Sequence, residues 1–234
     1  PTTDQIFDSM HGTPGGEKYN DRQVFSYHVY GYIGDPTDLR TANRNCQKFF
    51  KLAIKKMEKE NIMGMLTEFG AISGKESVSI DNMNFVLDLA DTKLHSWAYW
   101  QYKYYGDYTT AARPSEWEGF FDEKANLITQ KVKSLSRPYI SKSSANILNM
   151  NFDYKKNVLK VELKGKENSK ESYFNISSKY YSKFNVSYSN CKDCKFEKID
   201  ENTYKLDHSN KISNENFLVE LAFINDELEY EFDY

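Results

Sequence analysis

The 234-residue sequence predicts two layers of different kinds: an α/β part with about three strands of a (β/α)8 barrel, then a small all-β sandwich. Two observations predict the first part. Short apolar runs that end in polar or aromatic groups alternate with amphipathic helices, and the unit repeats at roughly 35 residues, about what an eight-unit barrel uses. A third observation predicts the second part. After Leu135-Ser-Arg137-Pro138-Tyr139 the helical periodicity stops, and short β segments follow, separated by Lys/Asn/Ser turns. The expected division is therefore 1–137 and 138–234. Three strands do not close a barrel, so the sheet is either open or part of a larger one.

Taken in order, residues 1–23 are dense in turn formers, with His11-Gly-Thr-Pro14-Gly15-Gly16 at their centre. They read as a site-lining loop, which makes His11 a candidate, or as a flexible terminus. Val24 to Tyr30 (VFSYHVY) is the first strand. Cys46, Phe49, Phe50, Ala53, Ile54 and Met57 recur at three- and four-residue spacing, which predicts a helix ending near Glu60-Asn61. The apolar run from Ile62 to Phe69 reads as a buried parallel strand, interrupted near its end by Glu68. Met83, Val86, Leu87, Ala90 and Leu94 mark a second helix, with Ser79 or Asp81 as caps. Ser96 to Lys103 (SWAYWQYK) is the third strand. Tyr104 to Glu118 reads as an aromatic loop and Gly119 to Ser134 as a last helix. The β segments expected downstream are Val158–Leu163, Ser172–Ile176, Phe184–Ser189, Phe196–Ile199, Thr203–Leu206 and Phe217–Phe223, ahead of an acidic tail over 226–234.

Composition narrows the function classes. A net charge of −3 argues against nucleic acid as the main partner. An aromatic content of 15% is too high for disorder and suits carbohydrate stacking or ordinary cores. No apolar run approaches the ~20 residues of a membrane helix. The chain starts at Pro1 and has no signal-peptide pattern, so it is expected to be a processed or excised piece. Cys191-Lys-Asp-Cys194 has metal-like spacing, yet no second pair or suitably placed His completes a zinc site, which leaves a local disulfide or plain thiols. The sequons at Asn175 and Asn185 tilt the expectation towards the secretory route, secreted or lysosomal. Nucleophile-elbow, Walker, zincin and dinucleotide motifs are not found.

The chemistry concentrates at the strand ends. A carboxylate closing a buried parallel strand is costly unless it opens into a site, and Glu68 therefore reads as a nucleophile or general base, against a structural salt bridge. His28 and Tyr30 share a face by the two-residue period, and a phenol or imidazole beside a carboxylate keeps it ionised and aimed. Trp97 and Trp100 fall on opposite faces, so one indole faces the barrel mouth, where it can stack on a sugar ring, and the other faces the helix layer. Gln101 and Lys103 are further hydrogen-bonding candidates.

These motifs together resemble glycoside hydrolase family five. SYHVY, LTEFGA and SWAYWQYK resemble its strands six, seven and eight. The endoglycoceramidase branch is the nearer likeness, through the HGTPGG loop leading into YNDRQVFSYHVY, the WQYK ending, and LSRPY running into a β domain with ESYFNISSKYY. The resemblance implies a retaining glycosidase that releases intact glycan from the ceramide of a glycosphingolipid. It implies Glu68 as nucleophile, His28 and Tyr30 as its orienting pair, and Trp100 as the stacking residue. It also implies a sandwich that helps present the lipid. No metal or organic cofactor is called for, because two carboxylates suffice. The family's acid/base glutamate follows an Asn on strand four, and the one Asn-Glu here, Asn214-Glu215, lies in the wrong region. Strands one to five and the acid/base are therefore expected from an N-terminal barrel half outside this chain, and contact with membrane lipid is implied. Two other readings stand beside this one. The first is a family-five glucanase or steryl-glucosidase-like hydrolase; the second is a non-catalytic carbohydrate- or glycolipid-binding remnant.

Overall fold

The computed structural model describes residues 12, 14–31, 36–108, 110–114, 116–209 and 215–224. His11 and the acidic tail fall outside the described residues. The chain forms two compact units, Pro1–Leu135 and Ser136–Tyr234, a division two residues ahead of the one expected from sequence.

In the first unit, β1 (Val24–Val29), β2 (Met63–Phe69) and β3 (Ser96–Trp97) form a parallel sheet in the order β1-β2-β3. Helices α1 (Leu39–Glu60) and α2 (Ser77–Thr92) make the crossovers. Asp38 starts α1 by accepting the N–H groups of Arg40 and Thr41, and Asn61 ends it in the left-handed region at φ 51°. Phe25, Tyr27, Val29, Leu66 and Phe69 are buried, as are Cys46, Phe50, Ala53 and Met57 of α1 and Met83, Val86, Leu87 and Ala90 of α2. Burial of each large side chain among these contributes roughly 1.5–3 kcal/mol. The other sheet face is open: Val24 and Met63 are each 59% exposed.

Two expectations in this unit need correction. The third strand is two residues long rather than eight, followed only by a bridge between Gly70 and Trp100. Beyond Trp97 the chain turns its donors to a loop instead of a ladder: the Gln101 N–H and the Tyr99 hydroxyl both donate to the Glu118 carbonyl. The last helix, α3, covers Thr129–Leu135 and not 119–134. Upstream of it the Asp122 carboxylate accepts the N–H groups of Lys124 and Asn126, and Ala125 sits at φ 64°. That tight turn competes with helix for the same backbone donors.

The second unit contains β4 (Tyr139–Ser143), β5 (Asn146–Asp153), β6 (Val158–Lys164), β7 (Glu171–Asn175), β8 (Phe184–Ser189), β9 (Lys195–Lys198), β10 (Thr203–Asp207) and β11 (Asn216–Phe223). They form two antiparallel four-stranded sheets, β4-β7-β10-β9 and β5-β6-β11-β8. Sequence reading passes over β4 and β5. In β5, NILNMNFD carries three asparagines, poor strand formers, and its alternation is broken by a bulge between Ile147 and Asn149. Register against β6 recovers it: Met150 lies opposite Val161, and Phe152 opposite Leu159. Phe152, Leu159, Val161, Leu163, Phe174 and Val219 are fully buried. The two sheets meet where the Phe184 ring packs 5.2 Å from Tyr204 and 6.0 Å from Phe196. Cys191 and Cys194 form a disulfide between β8 and β9, with Cα atoms 5.5 Å apart.

His208 lies in this unit at 1% exposure, its Nε2 3.0 Å from the Ser172 hydroxyl. Burial holds the imidazole below its ordinary range, against the opposing backbone bonds and the Asp207 and Glu171 charges. The unfolded chain therefore takes up a proton before the folded one does. Stability from this site is full above the unfolded value of about 6.5 and falls as pH drops below it. The melting temperature of the second unit should decline between pH 7 and 5, and His208→Gln should flatten that slope.

Candidate active site

Side-chain alternation alone would put Glu68 in the wrong place. Gly64 and Leu66 are buried towards the helices, and strict period two would send Glu68 after them. A bulge prevents this. Tyr27 pairs with Leu66 but His28 pairs with Glu68, so Thr67 is the extra residue of β2. The bulge moves the carboxylate to the His28 face, while Phe69 returns to the helix face at 1% exposure. Hydroxyls hold the bulge in place: Thr67 Oγ1 lies 2.6 Å from Ser26 Oγ and 3.4 Å from the Tyr27 carbonyl, which it donates to.

At that position one oxygen of Glu68 is doubly held. His28 Nδ1 and the Tyr30 hydroxyl both lie 3.2 Å from Oε2. Among the described residues Oε1 has no hydrogen-bond partner. His28 is 49% exposed and Glu68 27%, so this pairing adds little to stability and serves mainly to orient. Burial, and then the charges of Glu68 and Glu118, push the Tyr30 phenol well above the ordinary tyrosine range, so it remains a donor at any physiological pH. The result is a carboxylate fixed through one oxygen with the other free to react.

The end of β2 meets β3 at Gly70, which has φ 133°. A Cβ there would lie 2.7 Å from the Tyr99 ring and 2.8 Å from the Trp100 carbonyl, so only glycine permits the approach. Trp100 donates its N–H to the Phe69 carbonyl at 3.0 Å and is followed by a cis peptide to Gln101. Trp97 lies opposite Leu66 and stands edge-on to Phe69 at 5.7 Å, on the helix face and away from His28. The structure thus brings His28, Tyr30 and Glu68 together and assigns Trp97 to the helix layer. Among the described residues the Gln101 amide nitrogen is buried without a hydrogen-bond partner. Lys103 is engaged within its own loop, donating to the Asp107 carboxylate and the Thr110 hydroxyl over the Tyr105 ring.

Sequence reading overlooks Tyr99 and Glu118. Tyr99 is a buried phenol that donates to the Glu118 carbonyl at 3.1 Å, and burial followed by the Tyr30 and Glu118 groups raises it far above its usual range. Glu118 accepts the Ala111 N–H through its carboxylate at 2.9 Å. Neither residue has a periodic signal, because both depend on how an irregular loop folds back. The other acidic candidate, Glu215, lies in the second unit, where its carbonyl accepts the Gly165 N–H. Among the described residues no group of three His, Cys, Asp or Glu side chains is arranged for a metal.

The bulge geometry makes a direct prediction. Thr67→Val keeps the shape of the side chain and removes its hydroxyl, and should cost about 1 kcal/mol in denaturant unfolding. Amide exchange at Thr67 and Glu68 should rise, with α1 unchanged.

Comparison with known proteins bears on the sequence and the fold of this chain. Residues 3–106 match the family model "Cellulase (glycosyl hydrolase family 5)". A curated endoglycoceramidase from Cyanea nozakii is 28% identical over 204 residues, which is 86% of this chain and 38% of that protein. The solved lactosyl-enzyme intermediate of endo-glycoceramidase II from Rhodococcus sp. superposes with a TM-score of 0.63 at 12% identity, over 86% of this chain and 42% of that one. Sterylglucosidase 1 of Cryptococcus neoformans superposes with a TM-score of 0.59 at 11% identity, over 79% and 33%. This chain therefore spans well under half the length of these relatives, and the likeness to the solved structures is one of fold. Its three parallel strands correspond in kind to part of a glycosidase barrel. The strand motifs, the family match over residues 3–106 and the curated relative point the same way: this chain is similar to glycoside hydrolase family 5 over its first unit, and to an endoglycoceramidase over 86% of its length.

Proposed function

We propose that this chain is the nucleophile-bearing part of a retaining glycosidase that cleaves the β-glycosidic bond between an oligosaccharide and ceramide. The observation that carries this reading is the Glu68 carboxylate, held through Oε2 by His28 and Tyr30 with Oε1 free. In the reaction Oε1 bonds to the anomeric carbon while the glycosidic C–O bond breaks and its electron pair passes to the leaving oxygen. An acid about 5–5.5 Å from Glu68 protonates that oxygen. The same residue then takes a proton from water, which attacks the anomeric carbon, frees the glycan and restores Glu68. His28 and Tyr30 donate to the carboxylate in its charged state and hold its attack line.

The acid/base belongs to barrel strands outside this chain. Support comes from the open sheet face, where Val24 and Met63 expose apolar side chains that further strands would cover. It also comes from the share of the relatives that the chain spans. Trp100 supplies the sugar-stacking indole and Gln101 a hydroxyl partner, a role supported by its unpartnered buried amide. His11 is retained as a loop contact to substrate. The second unit is read as a β-sandwich domain that helps present the lipid at a membrane surface. The Cys191–Cys194 disulfide and the two sequons support a secreted or lysosomal setting.

A second reading keeps the same chemistry with a different aglycone, and the likeness to a sterylglucosidase favours it. The test is hydrolysis of glycosphingolipid by the natural full-length protein beside its Glu68→Gln variant. Release of intact oligosaccharide, reduced by about 10³-fold or more in the variant, is expected. Cleavage of steryl or aryl β-glucosides alone, through Glu68, would select the second reading. Glycolipid binding without turnover, unaffected by Glu68→Gln, would mark a carbohydrate-binding remnant. This chain by itself, lacking the acid, should turn over no glycolipid.

A further inference from the structure

We infer that Lys131 is a positioning residue of the Glu68 site, acting as a buried cation that ties the end of β2 to the loop after β3. The inference rests on the glycosidase reading for its catalytic consequence, but not for the tether itself. Lys131 lies on α3 and is fully buried. Its ammonium donates to the carbonyls of Ile72 at 2.6 Å, Gly119 at 2.7 Å and Trp117 at 3.2 Å. It also lies 5.7 Å from the centre of the Tyr99 ring.

The partners give this arrangement its meaning. Ile72 follows Glu68 by four residues, on the segment that leaves β2. Trp117 and Gly119 flank Glu118. The Glu118 carbonyl receives the Tyr99 hydroxyl and the Gln101 N–H, and the Glu118 N–H donates to the Ala111 carbonyl. One ammonium therefore fastens the nucleophile's strand end to the turn that fixes Tyr99, Trp100 and Gln101. The charge of Glu118 also acts on Tyr30, which donates to Glu68. An ammonium buried without partners is very costly, whereas three carbonyls match its three N–H donors. The stem is closely packed as well: a Cβ at Gly74 would lie 3.0 Å from Lys131 Cε.

Lys131→Met separates stem from charge, since it keeps the apolar length and removes the donors. The experiment uses the natural full-length protein and two readouts. The first is amide exchange. Exchange at Gln101, Ala111 and Glu118 should accelerate by about tenfold or more in Lys131→Met, while the α1 amides of Ala53 and Met57 keep their wild-type rates. The second is covalent labelling of Glu68 by 2,4-dinitrophenyl 2-deoxy-2-fluoro-β-glucoside, whose leaving group needs no acid, so the rate reports on the nucleophile's placement. Labelling should slow by about tenfold or more under conditions where the variant is folded. Lys131→Arg serves where the methionine variant does not fold. It keeps the charge, but its flat fork cannot aim at the same three carbonyls, so it should also slow labelling. Wild-type exchange together with wild-type labelling in the folded variants would overturn the inference. Faster exchange with unchanged labelling would reduce Lys131 to a structural clamp and equally overturn the positioning role. If wild-type Glu68 takes no label, the glycosidase reading fails, and the exchange rates still decide the tether.

Discussion

The site depends on one extra residue in β2. A strand buried on its helix face offers a carboxylate two placements, and the regular one would put Glu68 behind Leu66 against the helices. There it would be desolvated and useless to a substrate. Thr67 takes up the register difference against His28 and turns Glu68 to the face where His28 and Tyr30 lie. The apolar packing of the strand is retained because Phe69 falls back into the helix layer. The bulge thus separates two requirements that period-two geometry would set against each other, a buried strand end and an accessible acid.

The same reasoning explains what sequence could show. Periodicity marks α1 because its core residues recur over about four turns, from Ala42 to Met57, and it marks β1 because Phe25, Tyr27 and Val29 alternate without interruption. Glu68, His28 and Tyr30 were legible because polar groups at the ends of apolar runs are costly without a purpose. The bulge was not legible. Thr67 is an ordinary strand residue, and its role exists only against the register of β1. While the loop expected over 104–118 is a loop, residues 98–103 and 119–128 were misread for a related reason. Their backbone donors go to side chains and to distant carbonyls, such as Asp122 and Glu118, and such partners leave no local period. In the second unit, β5 hid behind three asparagines and a bulge, and only pairing with β6 makes it a strand.

The division of labour within the first unit follows from these contacts. Helices α1 and α2 supply burial, and the sheet supplies direction. The irregular segment after β3 supplies groups of different kinds: a buried phenol, a buried amide without a partner among the described residues, and a tryptophan whose backbone bridges to Gly70. Under the proposed glycosidase reading, a different aglycone would leave the demands on Glu68, His28 and Tyr30 unchanged, since these would act at the sugar's reacting carbon. Differences in aglycone would fall on the segment after β3, which carries Tyr102, Tyr104, Tyr105 and Tyr108 at its exposed surface.

That segment poses a physical problem that Lys131 resolves. A loop that folds back without a ladder leaves carbonyls pointing inward, here those of Trp117 and Gly119, while the chain leaving β2 contributes Ile72. Apolar side chains would fill the space and leave three acceptors unmet, each at a desolvation cost of about 1–3 kcal/mol. A carboxamide has only two N–H donors, and water would need an ordered cavity. A single ammonium satisfies all three and, being anchored on α3, transmits the helix's fixed position to both loops. Rigidity at the Glu68 site is then a property of a buried cation on the far side of the segment, and the aromatic surface beyond it is free to differ without disturbing Glu68.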